Sequence, residues 1–250
     1  MLRYIPLAAL HDGQQWLATT YQSHNVTATA IDNLNAQAAS LSPERSVLAG
    51  AFTDASSDVE VQVGTERFPY AGLAAARAEI NALAEIMPKT TTLIDRDFTP
   101  VNTLGAVEGH RIVHLATHAK FFPGQPESSF ILFGDGSTVN MRDIGQWELP
   151  GVELVVFSAC ETAVSIEGDG KEILGLGFQI QQTGAEAAIA SLWSVNDEAT
   201  AALMAQFYTA LSTGKTKAQA LQYAQQQLMQ TSRYAHPYNW SGFILIGNGA

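Results

Sequence analysis

The sequence has little cysteine, little positive charge and no long uninterrupted apolar run. Cys160 is the only cysteine in 250 residues, which excludes an intramolecular disulfide and fits a reducing compartment. The 13 Lys and Arg against 24 Asp and Glu give a net charge of -11, so wrapping of a nucleic-acid backbone is not expected. No stretch approaches the roughly 20 apolar residues of a membrane span, and the first residues lack the features of a signal peptide. We therefore expect a cytoplasmic protein that binds neither nucleic acid nor membrane.

The predicted first strand, and the lack of repeats and linkers, indicate how the chain is divided into domains. Residues 2–10 are expected to form a strand and the turn after it, with almost nothing before them. A fold that begins inside a strand suggests that residues 1–250 are the C-terminal part of a longer protein. No repeat of 20–50 residues occurs and no linker divides the chain, so we expect a single domain over residues 1–250.

Short apolar runs alternate with amphipathic segments along the chain. The apolar runs predict strands, which are expected at residues 24–31, 46–52, 91–94, 112–118, 130–133, 154–160, 187–192 and 243–246. Helical spacing and capping residues predict helices near residues 73–87, 99–107, 140–147, 172–183, 196–211 and 216–230. Residues 53–70 are rich in Asp, Ser and Gly and are expected to form an exposed loop. This order predicts an α/β fold with a mainly parallel sheet covered by helices on both faces.

Two of the predicted strands end in a side chain that can react. One run reads IVHLATH and ends at His118, and the other reads LVVFSACET and contains Cys160. In open α/β sheets functional groups collect at the carboxyl ends of the strands, so these side chains meet if the two strands are neighbours. A free thiol has a pKa near ~8.5 and is mostly protonated at neutral pH. A neighbouring imidazole can take the thiol proton and later protonate a leaving amine, which predicts a Cys–His hydrolase.

A hydrolase of this kind also needs donors for the negative oxygen of its tetrahedral intermediate. We expect these donors to be the backbone N–H groups of Ala119 and Cys160. Taken alone, a free cysteine is more often a small buried hydrophobe, and His118 alone is more often structural. His114 would face the same side of the strand as His118, but no third ligand is nearby, so we interpret it as a core residue and expect no metal site. No phosphate-binding loop is present, and no cofactor is expected.

Several segments together resemble the CHAT domain, a caspase-like domain that is often associated with TPR repeats. The matching segments occur in the family's order and cover almost the whole chain: LRYIPLAALHDG, HLATHA, SACET, GDGKEILGLG, AAIASLWSVND and NWSGFILIG. The resemblance implies a caspase-like three-layer sandwich and cysteine endopeptidase activity, with the family's His at His118 and its Cys at Cys160. Ala119 stands where relatives often have Gly, and Ala163 follows SACET where many relatives also have Gly. The resemblance further implies a TPR or other sensor region in the full-length chain and a partner protein as the substrate.

Substrate preference would depend on a pocket beside the two reactive residues. In metacaspase-like relatives an acidic residue two positions before the Cys favours a basic substrate, but here that position is Ser158. The other candidate pocket residues are Asp169, Trp193 and Asp197, and Glu161 is a further source of charge near the pocket. An aromatic residue in the position of Trp193 is more often part of the core than of a pocket wall. Glu161 is given no catalytic role.

Three functions stay open from the sequence. The first is a regulatory cysteine endopeptidase, the second is a catalytically silent CHAT interaction module, and the third is an acyl-transferring enzyme that uses the same two residues. The presence of both His118 and Cys160 favours the first.

Overall fold

The computed structural model describes residues 5–27, 45–122, 124–158 and 171–250. Its centre is a six-stranded sheet in the order β11-β10-β9-β5-β1-β4. Five of these strands are parallel, and the last strand of the chain pairs antiparallel with β10. The strands are β1 (Val47–Ala51), β4 (Thr90–Ile94), β5 (Ile112–Ala116), β9 (Leu154–Phe157), β10 (Ala187–Ser191) and β11 (Phe243–Gly247).

Four of the described helices begin at a residue whose side chain caps the first turn. They are α1 (Leu17–Thr20), α2 (Ala74–Ile86), α3 (Pro100–Ala106), α4 (Met141–Ile144), α5 (Lys171–Gln182), α6 (Asp197–Ser212) and α7 (Lys217–Gln230). The Thr99 side chain accepts from the Asn102 N–H, with Pro100 at the first helical position. Asn196 caps α6, and Thr216 forms a capping box with Gln219. No helix in the described part of the chain is both long enough and apolar enough to cross a membrane.

Alternate residues of the strands face two separate hydrophobic cores. On one face, strand residues such as Ala49 and Val156 pack with helices α2, α6 and α7. On the other face, strand residues such as Leu48 and Val155 pack with α4 and α5 and with a small sheet. Every residue of β1, β5, β9 and β10 is buried, as expected for parallel strands covered on both sides. The result is the predicted three-layer sandwich.

Two small sheets are attached to this sandwich, and one of them lies where the sequence predicted an exposed loop at residues 53–70. β2 (Val59–Val63) and β3 (Glu66–Tyr70) form an antiparallel hairpin inside the segment that was predicted to be a loop. The strand VEVQV alternates between apolar and polar residues, its partner strand is ERFPY, and Gly64 makes the turn with φ 61°. The short strands β6 (Ala119–Lys120), β7 (Phe130–Leu132) and β8 (Thr138–Asn140) form the second small sheet.

The prediction of a strand near the start of the chain is wrong for the residues that are described. Leu7–Ala9 form one turn of 3₁₀ helix after Pro6. The β pairing nearest to them is an isolated bridge between His11 and Trp16. In the predicted strand at residues 24–31, the described part contributes one bridge, from Asn25 to Ile246. Apolar residues alone do not make a strand when no partner strand supplies hydrogen bonds.

Candidate functional site

The strands that precede His118 and Cys160 are neighbours in the central sheet. β5 and β9 pair in parallel, with His114 opposite Val156. The pairing continues one residue past β9, because the Ser158 N–H donates to the Leu115 carbonyl at 3.0 Å. Both strands therefore end at the same edge of the sheet, where functional groups of α/β proteins collect. Cys160 itself lies outside the described residues.

Within the part of the chain that the structure describes, one hydrogen bond and two aromatic rings orient the imidazole of His118. Its Nε2 lies 2.7 Å from the Ala71 carbonyl oxygen. Its ring centroid is 4.8 Å from that of Tyr70 and 6.2 Å from that of Phe52. A carbonyl oxygen can only accept, so Nε2 carries the hydrogen and Nδ1 of the neutral ring is left as the basic nitrogen. The side chain is 7% exposed, which makes this orientation well defined.

The backbone N–H of Ala119 is not used by the neighbouring strand. Leu132 donates its N–H to the His118 carbonyl at 2.9 Å, and Ala119 is opposite Ile131. This makes the Ala119–Ile131 pair a non-hydrogen-bonded pair of the antiparallel ladder, so the Ala119 N–H points away from β7. Among the described residues other than glycine, only Asp95 has a positive φ, so Ala119 adopts an ordinary backbone conformation.

A buried carboxylate contacts both the middle of β5 and the residue that follows β9. Oε1 of Glu79, on α2, accepts from the Ser158 hydroxyl at 2.5 Å and lies 2.9 Å from Nε2 of His114, although that second contact lacks hydrogen-bond alignment. The other ring nitrogen of His114 lies 3.0 Å from the hydroxyl of Tyr208, on α6. Burial, and secondly the negative charge of Glu79, raise the pKa of Tyr208, so its hydroxyl stays protonated.

Two of the predicted pocket residues line one small cavity. Ser158 and Asp197 share it with Glu79, Thr200 and apolar residues of α2 and the turn before it, and it has room for about one water molecule (≈ 10 Å³). Trp193 is not part of this lining. Its indole Nε1 donates to the Tyr238 carbonyl at 2.9 Å and its ring stacks on that of Tyr238.

Asp169 and Glu161 lie outside the described residues. Within the described ranges, no three His, Cys, Asp or Glu side chains converge as a metal site would require.

Sequence reasoning missed Ala71 and Glu79. Ala71 acts through its main-chain carbonyl, which its side chain does not reveal. Glu79 had a signal, because it adjoins Ile80 and Ala76 on the apolar face of α2, where a charged residue needs a buried partner. Its partners come from strands far away in the chain, so the pattern alone does not identify them.

The six-stranded, mainly parallel sheet with helices on both faces places the protein in the class of caspase-like α/β folds. The solved structure of the Arg specific cysteine proteinase gingipain R superposes with a TM-score of 0.51 at 12% identity, covering 84% of this chain and 48% of that one. The complex of Porphyromonas gingivalis RgpB pro- and mature domains gives a TM-score of 0.53 at 12% identity, covering 93% and 51%. At this identity the similarity shows the fold alone.

The chain belongs to the CHAT domain family, whose model matches residues 1–248. Human tetratricopeptide repeat protein 28 is 24% identical over 220 residues, which are 73% of this chain and 9% of that protein. The mouse protein of the same name is 32% identical over 98 residues, 39% of this chain and 4% of that one. The chain therefore spans less than a tenth of the length of these relatives.

Proposed function

We propose that this protein is a cysteine endopeptidase in which His118 and Cys160 act as the catalytic pair. The observation that carries the proposal is the bond from His118 Nε2 to the Ala71 carbonyl at the carboxyl edge of β5, beside β9. A main-chain acceptor on Nε2 leaves Nδ1 free to act as a base. Cys160 follows two residues after Ser158, which is the last described residue at the end of β9.

The chemistry would proceed through an acylated Cys160. The Nδ1 atom of His118 takes the thiol proton, and the thiolate attacks the carbonyl carbon of the substrate peptide bond. The oxygen of the tetrahedral intermediate accepts from the N–H groups of Ala119 and Cys160. The imidazolium then protonates the departing amine, and water hydrolyses the thioester by the same route. The free direction of the Ala119 N–H supports its part in this scheme.

The cavity that Ser158 and Asp197 line is proposed as the deepest part of the substrate pocket. It is lined by the carboxylates of Glu79 and Asp197. Since the cavity has room for only about one water molecule, a substrate side chain enters it only if the side chains around it move apart. Asp169 and Trp193 stay candidates for outer parts of the pocket.

We further propose that the activity is regulatory and is directed at a partner protein. Support comes from the relatives, whose name records tetratricopeptide repeats. In a longer protein a repeat region of this kind would act as the sensor that controls the peptidase.

The direct test is cleavage of a fluorogenic peptide library by wild type and by Cys160→Ala and His118→Ala variants. We expect turnover by wild type and a loss of at least about 1,000-fold in both variants, as for other paired nucleophile–base enzymes. His236→Ala is the matched control, because His236 is an exposed histidine that caps a 3₁₀ turn. A library with no cleaved member, together with partner binding that survives Cys160→Ala, would instead establish the interaction module. Turnover of thioesters without any peptide would establish the acyl-transferring enzyme.

A proteome-wide comparison of new N-termini between cells with wild type and with Cys160→Ala would identify the substrate. We expect a small set of cleavages that depends on Cys160, as a regulatory peptidase requires. Broad cleavage of many unrelated proteins would contradict a regulatory role.

A further inference from the structure

Among the described residues, the contacts that orient His118 come from the two ends of one excursion of the chain. This excursion, residues 52–73, leaves the sheet after β1, forms the β2–β3 hairpin and returns to α2. Phe52 lies at its first end, and Tyr70 and Ala71 lie at its second end. The orientation of the imidazole therefore depends on how these two ends are fixed to each other.

The two ends are joined by a pair of main-chain hydrogen bonds. The Gly72 N–H donates to the Asp54 carbonyl at 2.9 Å, and the Leu73 N–H donates to the Phe52 carbonyl at 2.9 Å. A Cβ atom on Gly72 would collide with the main chain of Asp54, so this close approach requires glycine. Ala71, whose carbonyl binds His118, immediately precedes this junction.

Asp95 holds the first end of the excursion in place. One carboxylate oxygen accepts from the Thr53 N–H at 2.6 Å and from the Asp54 N–H at 3.0 Å, while the Thr53 hydroxyl lies within 3.1 Å of both oxygens. The other oxygen pairs with the Arg77 guanidinium at 2.9 Å, and Arg77 also donates to the Thr53 hydroxyl. One carboxylate thus joins the segment after β4, the exit of β1 and helix α2.

The backbone of Asp95 is held in an unfavourable conformation to make these contacts. Its φ is 52°, the only positive value for a residue other than glycine in the described part of the chain. Gly134 packs closely on the main chain of Asp95, and a Cβ atom on residue 134 would collide with the Asp95 carbonyl oxygen. Such conformations persist where the surroundings determine them, and they cluster at functional sites. Glycine would adopt this φ more easily, so the presence of Asp indicates that its side chain is needed.

We propose that Asp95 is a positioning residue for His118. Asp95 fixes the main chain of Thr53 and Asp54, and Asp54 in turn bonds to the Gly72 N–H. The position of Gly72 determines where the preceding Ala71 carbonyl lies. That carbonyl accepts from Nε2 of His118 and so selects the Nε2–H tautomer of the imidazole. This inference rests on the proposed peptidase function for its catalytic consequence, but its structural part can be tested without any substrate.

The test is ¹⁵N NMR of the histidine-labelled protein, which distinguishes the two neutral tautomers by their ring-nitrogen shifts. The His118 signal is assigned by its loss in His118→Gln. We expect wild type to hold His118 as the Nε2–H tautomer and Asp95→Ala to show a mixture of both. Asp97→Ala is the matched control, because it removes an exposed carboxylate from the same turn and should leave the His118 signal unchanged.

Kinetics on a cleaved peptide supply the second measurement. We expect Asp95→Ala to lower kcat about 10- to 100-fold with KM changed less than twofold, because geometry of the base and not substrate binding is altered. Asp95→Asn, which keeps an acceptor for the Thr53 and Asp54 N–H groups but loses the ion pair with Arg77, should fall between wild type and Asp95→Ala in both measurements.

The outcomes separate this inference from the proposed function. A wild-type His118 tautomer signal in folded Asp95→Ala overturns the positioning role, whatever the peptidase assay shows. If Asp95→Ala does not fold, Asp95→Asn decides, and an unchanged His118 signal in that variant overturns the proposal. If wild type cleaves no peptide but the tautomer shifts in Asp95→Ala, the proposed function fails while the positioning role stands.

Discussion

The buried link through Glu79 makes a quantitative prediction about stability. Its carboxylate is 5% exposed and accepts from Ser158, which is itself buried. A hydrogen bond to a charged group contributes about 1.5–3 kcal/mol, and truncating a buried side chain adds a cavity cost. We therefore expect Glu79→Ala to lower the free energy of unfolding by about 3 kcal/mol. For a chain of this size the Tm should fall by about 6–12 °C.

Urea unfolding and thermal melts of a double-mutant cycle measure this link. The cycle comprises wild type, Glu79→Ala, Ser158→Ala and the double variant, and its coupling energy isolates the carboxylate–hydroxyl contact. We expect a coupling of about 1.5–3 kcal/mol. The matched control is Glu85→Ala, an exposed position on the same helix α2, which should change stability by less than about 0.5 kcal/mol.

Two results would refute the reasoning about Glu79. A loss below about 1 kcal/mol in Glu79→Ala would mean that the carboxylate stabilises neither strand end. A coupling near zero with a large loss in Glu79→Ala would mean that packing, and not the bond to Ser158, accounts for the effect.

Three further predictions concern other parts of the fold. Thr99→Ala removes the N-cap of α3 and should lower stability by about 1 kcal/mol in urea unfolding, whereas an unchanged midpoint would contradict the capping role. Gly50→Ala places a Cβ against the Phe98 ring in a closed core and should lower stability by about 1–3 kcal/mol, so a Tm equal to wild type would show that the ring moves freely. Burial lowers the pKa of Lys217 below its usual 10.5, so the unfolded state binds more protons between the folded pKa and 10.5. The stability of wild type relative to Lys217→Met should therefore rise with pH across that window, and a flat difference in urea midpoints argues against it.

Much of the architecture could be predicted because patterns among residues close together in the sequence indicate the strands and helices. Continuous apolar runs such as residues 47–51 and 187–191 mark strands that are buried on both faces, and the alternation with helices indicates a parallel sheet. Helix starts at Pro100 and Asp197 follow from side chains that satisfy nearby N–H groups. The sequence does not predict the β2–β3 hairpin, because its two strands are short, contain charged residues and stand among the Asp, Ser and Gly residues that are typical of loops.

One part of the candidate site follows from the sequence pattern, and the other part follows only from the tertiary structure. The sequence by itself predicted which side chains could react, since the residue type of His118 and its place after an apolar run carry that signal. Only the tertiary structure decided which strands are neighbours, and that Ala71, Glu79 and Asp95 serve the edge of the sheet where β5 and β9 end. These partners act through a main-chain carbonyl and through carboxylates that are at least 18 residues away from the groups they contact. Contacts of that kind leave no local pattern, because the folding of the whole sheet brings the groups together.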